Sequence, residues 1–161
     1  MSEAAVVDAS PLIYLAHANL IDLLRVASLQ ILVPMTVSRE IRRRSATDPT
    51  VQALDNTPWL REVEPGPDSP RVVLWALGPG ETSVLSWSLA HPGSLAILDD
   101  LAGRRCAEAL EIPLIGTLGL VLRAKSRGDL PAARPVVERL REAGMYLSDS
   151  VLSRALALVG E

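Results

Sequence analysis

Five carboxylates stand out by where they fall. Asp8 closes the apolar run Ala-Ala-Val-Val, and Asp99 and Asp100 close a second run, Leu95-Ala-Ile-Leu. Aliphatic residues ended by an acid, with helical sequence after them, read as buried parallel strands delivering a carboxylate to their C-terminal edge. Open α/β sheets place their chemistry at that edge. Glu40 and Glu81 fall near helix starts and can join the same pocket. Acids gathered this way repel one another unless a cation lies between them, so the pattern points to a divalent-metal site.

Each acid also has a plainer explanation. Asp8 could cap the helix that follows, but Ser10 before Pro11 is expected to fill that position. Glu40 could pair with Arg43 or Arg44 one turn on, yet Val37 and Ile41 put it at the border of an apolar face, pointing toward the sheet edge. Glu81 in a first helical turn complements the helix dipole. One of Asp99 and Asp100 suffices to cap a helix starting at Leu101; two exceed that need. Successive strand residues point to opposite faces, so one of the pair is expected to face the pocket. Which one stays open.

The elements that must position these acids alternate. Strands are expected at 4–8, 30–34, 59–63 (an edge), 94–98 and 112–115. Helices are expected from Pro11 to 18, and over 20–26, 35–44, 48–55, 79–90 and 101–110. Residues 64–70, with three prolines and a glycine, read as a loop. From 118 the chain looks wholly helical, over 118–127, 132–143 and 148–159, with Gly128, Gly144 and Gly160 as stops. Alternation through 115 predicts an α/β fold with helices on both faces of a parallel sheet. One domain is expected over 1–161, with a core at 1–128 and a helical C-terminal extension at 129–161.

Composition narrows the classes. Apolar residues make up 48% of the 161, which argues against disorder. The lone Cys106 excludes a disulfide framework and a thiolate zinc cage; it reads as a small buried helix residue. Two histidines cannot build a histidine-based metal site. The net charge of −3 argues against bulk coating of nucleic acid but not against a nuclease, whose acids lower the total. Arginine outnumbers lysine, whose one copy is Lys125; a GC-rich coding bias explains this more simply than phosphate recognition does. Arg39, Arg42, Arg43 and Arg44 surround Glu40, and Arg104 and Arg105 follow the Asp pair, as phosphate holders or as solvated helix faces. No apolar run approaches the roughly 20 residues of a membrane span, and the first residues lack a basic signal region. A cytoplasmic protein is expected.

Taken together, these residues resemble the PIN domain, a fold of metal-dependent ribonucleases that includes VapC-type toxins. The similarity lies in VVDASPLIYLA at 6–16, VP with V-x-x-E at 33–40, GPGETSVLSWSLA at 78–90 and AILDDLAGRRCAEALEIPLIGTLGLVLRAKSRGDL at 96–130. The last segment is similar to a PIN-like group with an LDD…R…A…IGT…G…L…AK…G pattern. The resemblance implies a three-layer α/β/α fold with a central parallel sheet of four to five strands. It makes Asp8 the first metal-binding acid, Glu40 the second, Glu81 a stand-in for an acid that is often aspartate, and Asp99 or Asp100 the acid closing the fourth strand. Ser10 matches a hydroxyl beside the first acid, and Thr117 a small polar residue at the rim. The extra methylene of Glu81 implies contact with the metal through water.

The implied activity is cleavage of RNA phosphodiester bonds, with Mg2+ or Mn2+ acidifying a water for in-line attack. The implied context is a type II toxin–antitoxin pair, with a cognate antitoxin and a homodimer. The alternative is a PIN-fold module that binds RNA or protein without cutting. A response-regulator receiver needs its acid pair after the first strand and a lysine after the last. A haloacid-dehalogenase-type phosphatase needs an aspartate where Ser10 stands. Neither pattern is present.

Overall fold

In the computed structural model, which describes residues 3–161, short and fully buried aliphatic segments build the sheet. Its strands are β1 (Ala5–Val7), β2 (Ile31–Pro34), β3 (Leu60–Val63), β4 (Leu95–Ile97) and β5 (Leu114–Ile115). Every residue of β1, β2 and β4 is buried. Strands covered on both faces cannot alternate polar with apolar, hence the unbroken aliphatic runs. All pairs are parallel, in the order β3-β2-β1-β4-β5. β3 is an edge, and its exposed Arg61 discourages further strand pairing.

The described helices are α1 (Ala9–His17), α2 (Met35–Arg42), α3 (Pro49–Asn56), α4 (Pro70–Val73), α5 (Pro79–Ala90), α6 (Leu101–Ala109), α7 (Thr117–Ser126), α8 (Arg134–Glu142) and α9 (Asp149–Ala157). They flank the sheet in the expected three-layer α/β/α arrangement. The sheet holds five strands, the upper end of the expected range. Val137, Leu140, Leu152 and Leu156, from α8 and α9, join the same buried cluster as β1 and β4. Cys106 is buried in α6, as expected.

Three local expectations are corrected. Ser10 does not cap α1: the helix begins at Ala9 with Asp8 in the cap position, and Ser10 lies inside the first turn. Pro11 is tolerated there because first-turn amides have no helical partner. The Ser-Pro start does operate at Ser69-Pro70, inside the stretch read as a loop; Ser69 accepts from the Arg71 amide and opens α4. Residues Ile21–Val26 form a 3₁₀ rather than an α-helix, a common outcome for a piece this short.

The start of α8 lies two residues later than expected and has no side-chain acceptor of its own at Ala133. Glu161 supplies one, accepting from the amides of Ala133 at 2.6 Å and Arg134 at 3.1 Å. These two bonds hold the Glu161 carboxyl below its ordinary range.

Candidate active site

The strand order reverses between β1 and β4, and such a reversal leaves a crevice beyond the strands' carboxyl ends. Asp8 is the first residue past β1, and its amide donates to the Ile97 carbonyl of β4 at 2.9 Å. The residue is only 6% exposed and, among the described residues, makes no ion pair or helix-capping bond. Burial therefore pushes its pKa up to about 6; the Ala9 amide offsets part of this, and Glu40, Asp99 and Asp100 add to it.

Glu40 comes from α2, where Val37 and Ile41 are buried and hold the helix against the sheet. Two of its neighbours' charges are engaged elsewhere. Arg42 binds Asp55 and Glu62, and Arg44 binds Asp48. The expected pairing of Glu40 with Arg43 or Arg44 does not form among the described residues. Glu81 lies in the first turn of α5. The helix dipole favours its charge, but the environment outweighs the dipole. Burial first, then Asp8, Asp100 and Glu40, push its pKa up to about 7.

Asp99 and Asp100 divide the remaining work. Asp99 accepts from Thr117 twice, from the amide at 2.7 Å and from Oγ1 at 2.6 Å. Thr117 is fully buried, so it is an internal brace for Asp99 and not a rim residue. Asp100 caps α6, accepting from the amides of Ala102 and Gly103 at 3.1 and 3.3 Å. It still faces Glu81. Thr117→Val is expected to cost about 1–3 kcal/mol, because the isosteric change leaves a charged acceptor short of one donor. Urea denaturation checks it.

The acids border two voids. A cleft of about 450 Å³ is lined by Asp8, Glu40 and Glu81 together with Ser10, Thr36, Arg39, Arg43 and Gly80. A neighbouring pocket of about 280 Å³ holds Asp99 and Asp100 with Tyr14, Leu118 and residues 145–147. Ser10 borders both. The carboxylates thus face one crevice from two sides without closing into a cage. Among the described residues, no three Asp, Glu, His or Cys side chains form a group that could hold a metal ion outright.

Glycines keep the crevice open, a role the sequence reading missed. A Cβ on Gly80 would sit 3.1 Å from Asp8 Oδ1 and 3.3 Å from Glu40 Oε2. One on Gly103 would meet Leu98 at 2.7 Å and Glu81 Oε2 at 3.1 Å, and one on Gly116 would meet Arg104 Nη1 at 2.6 Å and Asp99 Oδ1 at 3.0 Å. The available signal was a glycine beside each acid-bearing segment: Gly80 next to Glu81, Gly103 and Gly116 after the Asp pair. Arg39 and Arg43 also line the cleft and make no ion pair among the described residues, which leaves them available to an anion.

No helix among the described residues is long and apolar enough to cross a membrane. No curated protein matches the chain. A family model described as the PIN domain matches residues 4–161. PIN domains are generally nucleases, and they typically use divalent metal ions. The match spans nearly the whole chain, in keeping with the parallel sheet and the acids at its switch point, and the chain belongs to the PIN-domain family.

Proposed function

We propose that this protein is a metal-dependent endoribonuclease that hydrolyses RNA phosphodiester bonds with Mg2+ or Mn2+ at Asp8, Glu40 and Asp99 or Asp100, and with Glu81 at the edge. One observation carries the reading: Asp8 is buried at the switch point with no ion-pair partner among the described residues, and further carboxylates face it. A buried carboxylate held in that state is unfavourable unless a cation completes it.

The donor set suits a hydrated ion. Magnesium keeps several waters and takes one or two carboxylates directly, which fits acids spread around a crevice better than a tight cage. Once bound, the ion supplies Lewis acidity, activating water and offsetting phosphate charge. The chain's own groups do the rest. Arg39 and Arg43 hold backbone phosphates along the cleft. Thr117 fixes Asp99 through two donors, so that carboxylate needs no reorientation when substrate arrives. Gly80 leaves the space between Asp8 and Glu40 free for the phosphate and its waters.

The wider spacing of the acids also favours a second reading, a PIN-fold module that binds RNA or protein without cutting. Manganese titration of the pure protein, followed by incubation with single-stranded RNA, separates the two. Saturable metal binding and metal-dependent cleavage support the nuclease. RNA binding without cleavage at any metal concentration supports the module. From the family likeness we extend the reading to the toxin of a type II pair, active as a homodimer and restrained by an antitoxin. A small DNA-binding protein encoded in the adjacent reading frame is the expected correlate.

A further inference from the structure

The chain contains two tyrosines, Tyr14 and Tyr146, and both border the pocket beside Asp99 and Asp100. Tyr14 is half-buried and packs on the core, whereas Tyr146 is 90% exposed. That exposure is not the looseness of a free loop. Met145 on one side is buried, and its amide donates to the Leu140 carbonyl at 3.0 Å. Leu147 on the other side packs on the core, and Ser148 caps α9. Tyr146 is therefore presented between two fixed neighbours, with its ring uninvolved in folding.

We propose that this pocket is a nucleobase subsite, in which Tyr146 stacks on the base next to the phosphate being cut. The proposal rests on the nuclease reading above and adds the base-binding group to it. Three observations select this occupant. Ser10 borders both the pocket and the acidic cleft, so one strand of RNA can enter both. Free arginines line the cleft, while apolar and aromatic side chains line the pocket. The cleft offers two arginines to a phosphate, whereas the pocket's lining has no arginine or lysine and offers ring and aliphatic surface, which suits an uncharged planar base. Single-stranded RNA is recognised by such stacking, because splayed bases expose their faces. Tyr146 is a positioning residue in this scheme, since it acts on substrate placement and not on the reacting bond.

The test uses the full chain carrying Asp8→Asn, so that RNA is bound and not consumed. The probe is a short single-stranded RNA with 2-aminopurine, whose fluorescence falls on stacking. The expected results are quenching on binding, a roughly tenfold weaker affinity with Tyr146→Ala, and recovery with Tyr146→Phe. An abasic nucleotide at the stacked position should bind the Tyr and Ala forms equally. In the cleaving protein, Tyr146→Ala should raise KM by about the same factor with kcat within about twofold. Equal affinity of the Tyr and Ala forms for the base-containing RNA overturns the subsite, as does RNA binding without quenching at any labelled position. A wild-type protein that binds and quenches but never cleaves overturns the nuclease reading and leaves the subsite standing.

Discussion

Asp8→Asn is expected to reduce RNA cleavage by about a thousandfold or more, roughly the 4 kcal/mol that a metal ligand contributes to the transition state. The same substitution should make the metal-free protein more stable. Asp8 is buried, and its pKa is pushed up to about 6 from 3.8. At neutral pH the folded protein therefore carries an ionised carboxylate that folding disfavours by about 3 kcal/mol. Asparagine has nearly the same shape and no charge, so it removes most of that cost. Magnesium should reverse the order. At a concentration near 100 times its Kd it stabilises a protein that binds it by about 2.7 kcal/mol, and only the aspartate form should respond. Thermal melts with chelator and with magnesium read both effects. Equal stabilisation of the two proteins by metal would remove Asp8 from the site.

The second large effect concerns pH. Asp8 titrates near 3.8 when unfolded and near 6 when folded, and Glu81 near 4.5 and near 7. Between these values the folded state binds more protons than the unfolded state. Stability must then fall as pH rises. The contribution is fully present below about pH 4 and is lost by about pH 7. Asp48 runs the other way. Burial opposes its ionisation, but Arg44, the Thr50 amide and His17 outweigh burial and hold it well below the carboxylate range. Its contribution is present above about pH 4 and is lost in stronger acid. The metal-free protein should thus be most stable in mild acid, and saturating magnesium should flatten the decline toward neutrality. A melting temperature that climbs steadily from pH 4 to 7 without metal would contradict the description of the cleft.

The fold was legible wherever one strong local signal governed. Aliphatic runs such as Ala5–Val7 and Leu95–Ile97 read as strands covered on both faces, and each lies where expected. Asp48-Pro49 and Ser148 cap helices as their sequences suggest. Legibility failed where long-range partners decide. Ser10-Pro11 and Ser69-Pro70 carry the same local code, yet only the second caps a helix; at the first, the pairing of Asp8 with Ile97 on β4 starts the helix earlier. The cap of α8 comes from Glu161, 27 residues beyond Arg134, too far along the chain for any local pattern to join the two.

In the acidic cleft, residue types were readable but their separate tasks were not. The sequence left Asp99 and Asp100 interchangeable. Thr117, 18 residues on, separates them by bracing Asp99, while Asp100 turns to the amides of α6. Glu81 shows how a correct local argument can lose. Its place in a first helical turn favours ionisation, yet burial and three acids brought in from elsewhere reverse the preference.

The reversal of strand order beside β1 divides authorship of the crevice. The arginine-bearing wall is written by residues 8–10, 36–43 and 78–81, the aromatic wall by Tyr14, residues 99–100, 118 and 145–147, and among the described residues Ser10 belongs to both. On the proposed base subsite, substitutions in the three residues between Gly144 and Ser148 are expected to alter which RNA is held while every acid stays in place. If that subsite holds, a lineage built on this scaffold changes targets while the chemistry of its acids stays the same.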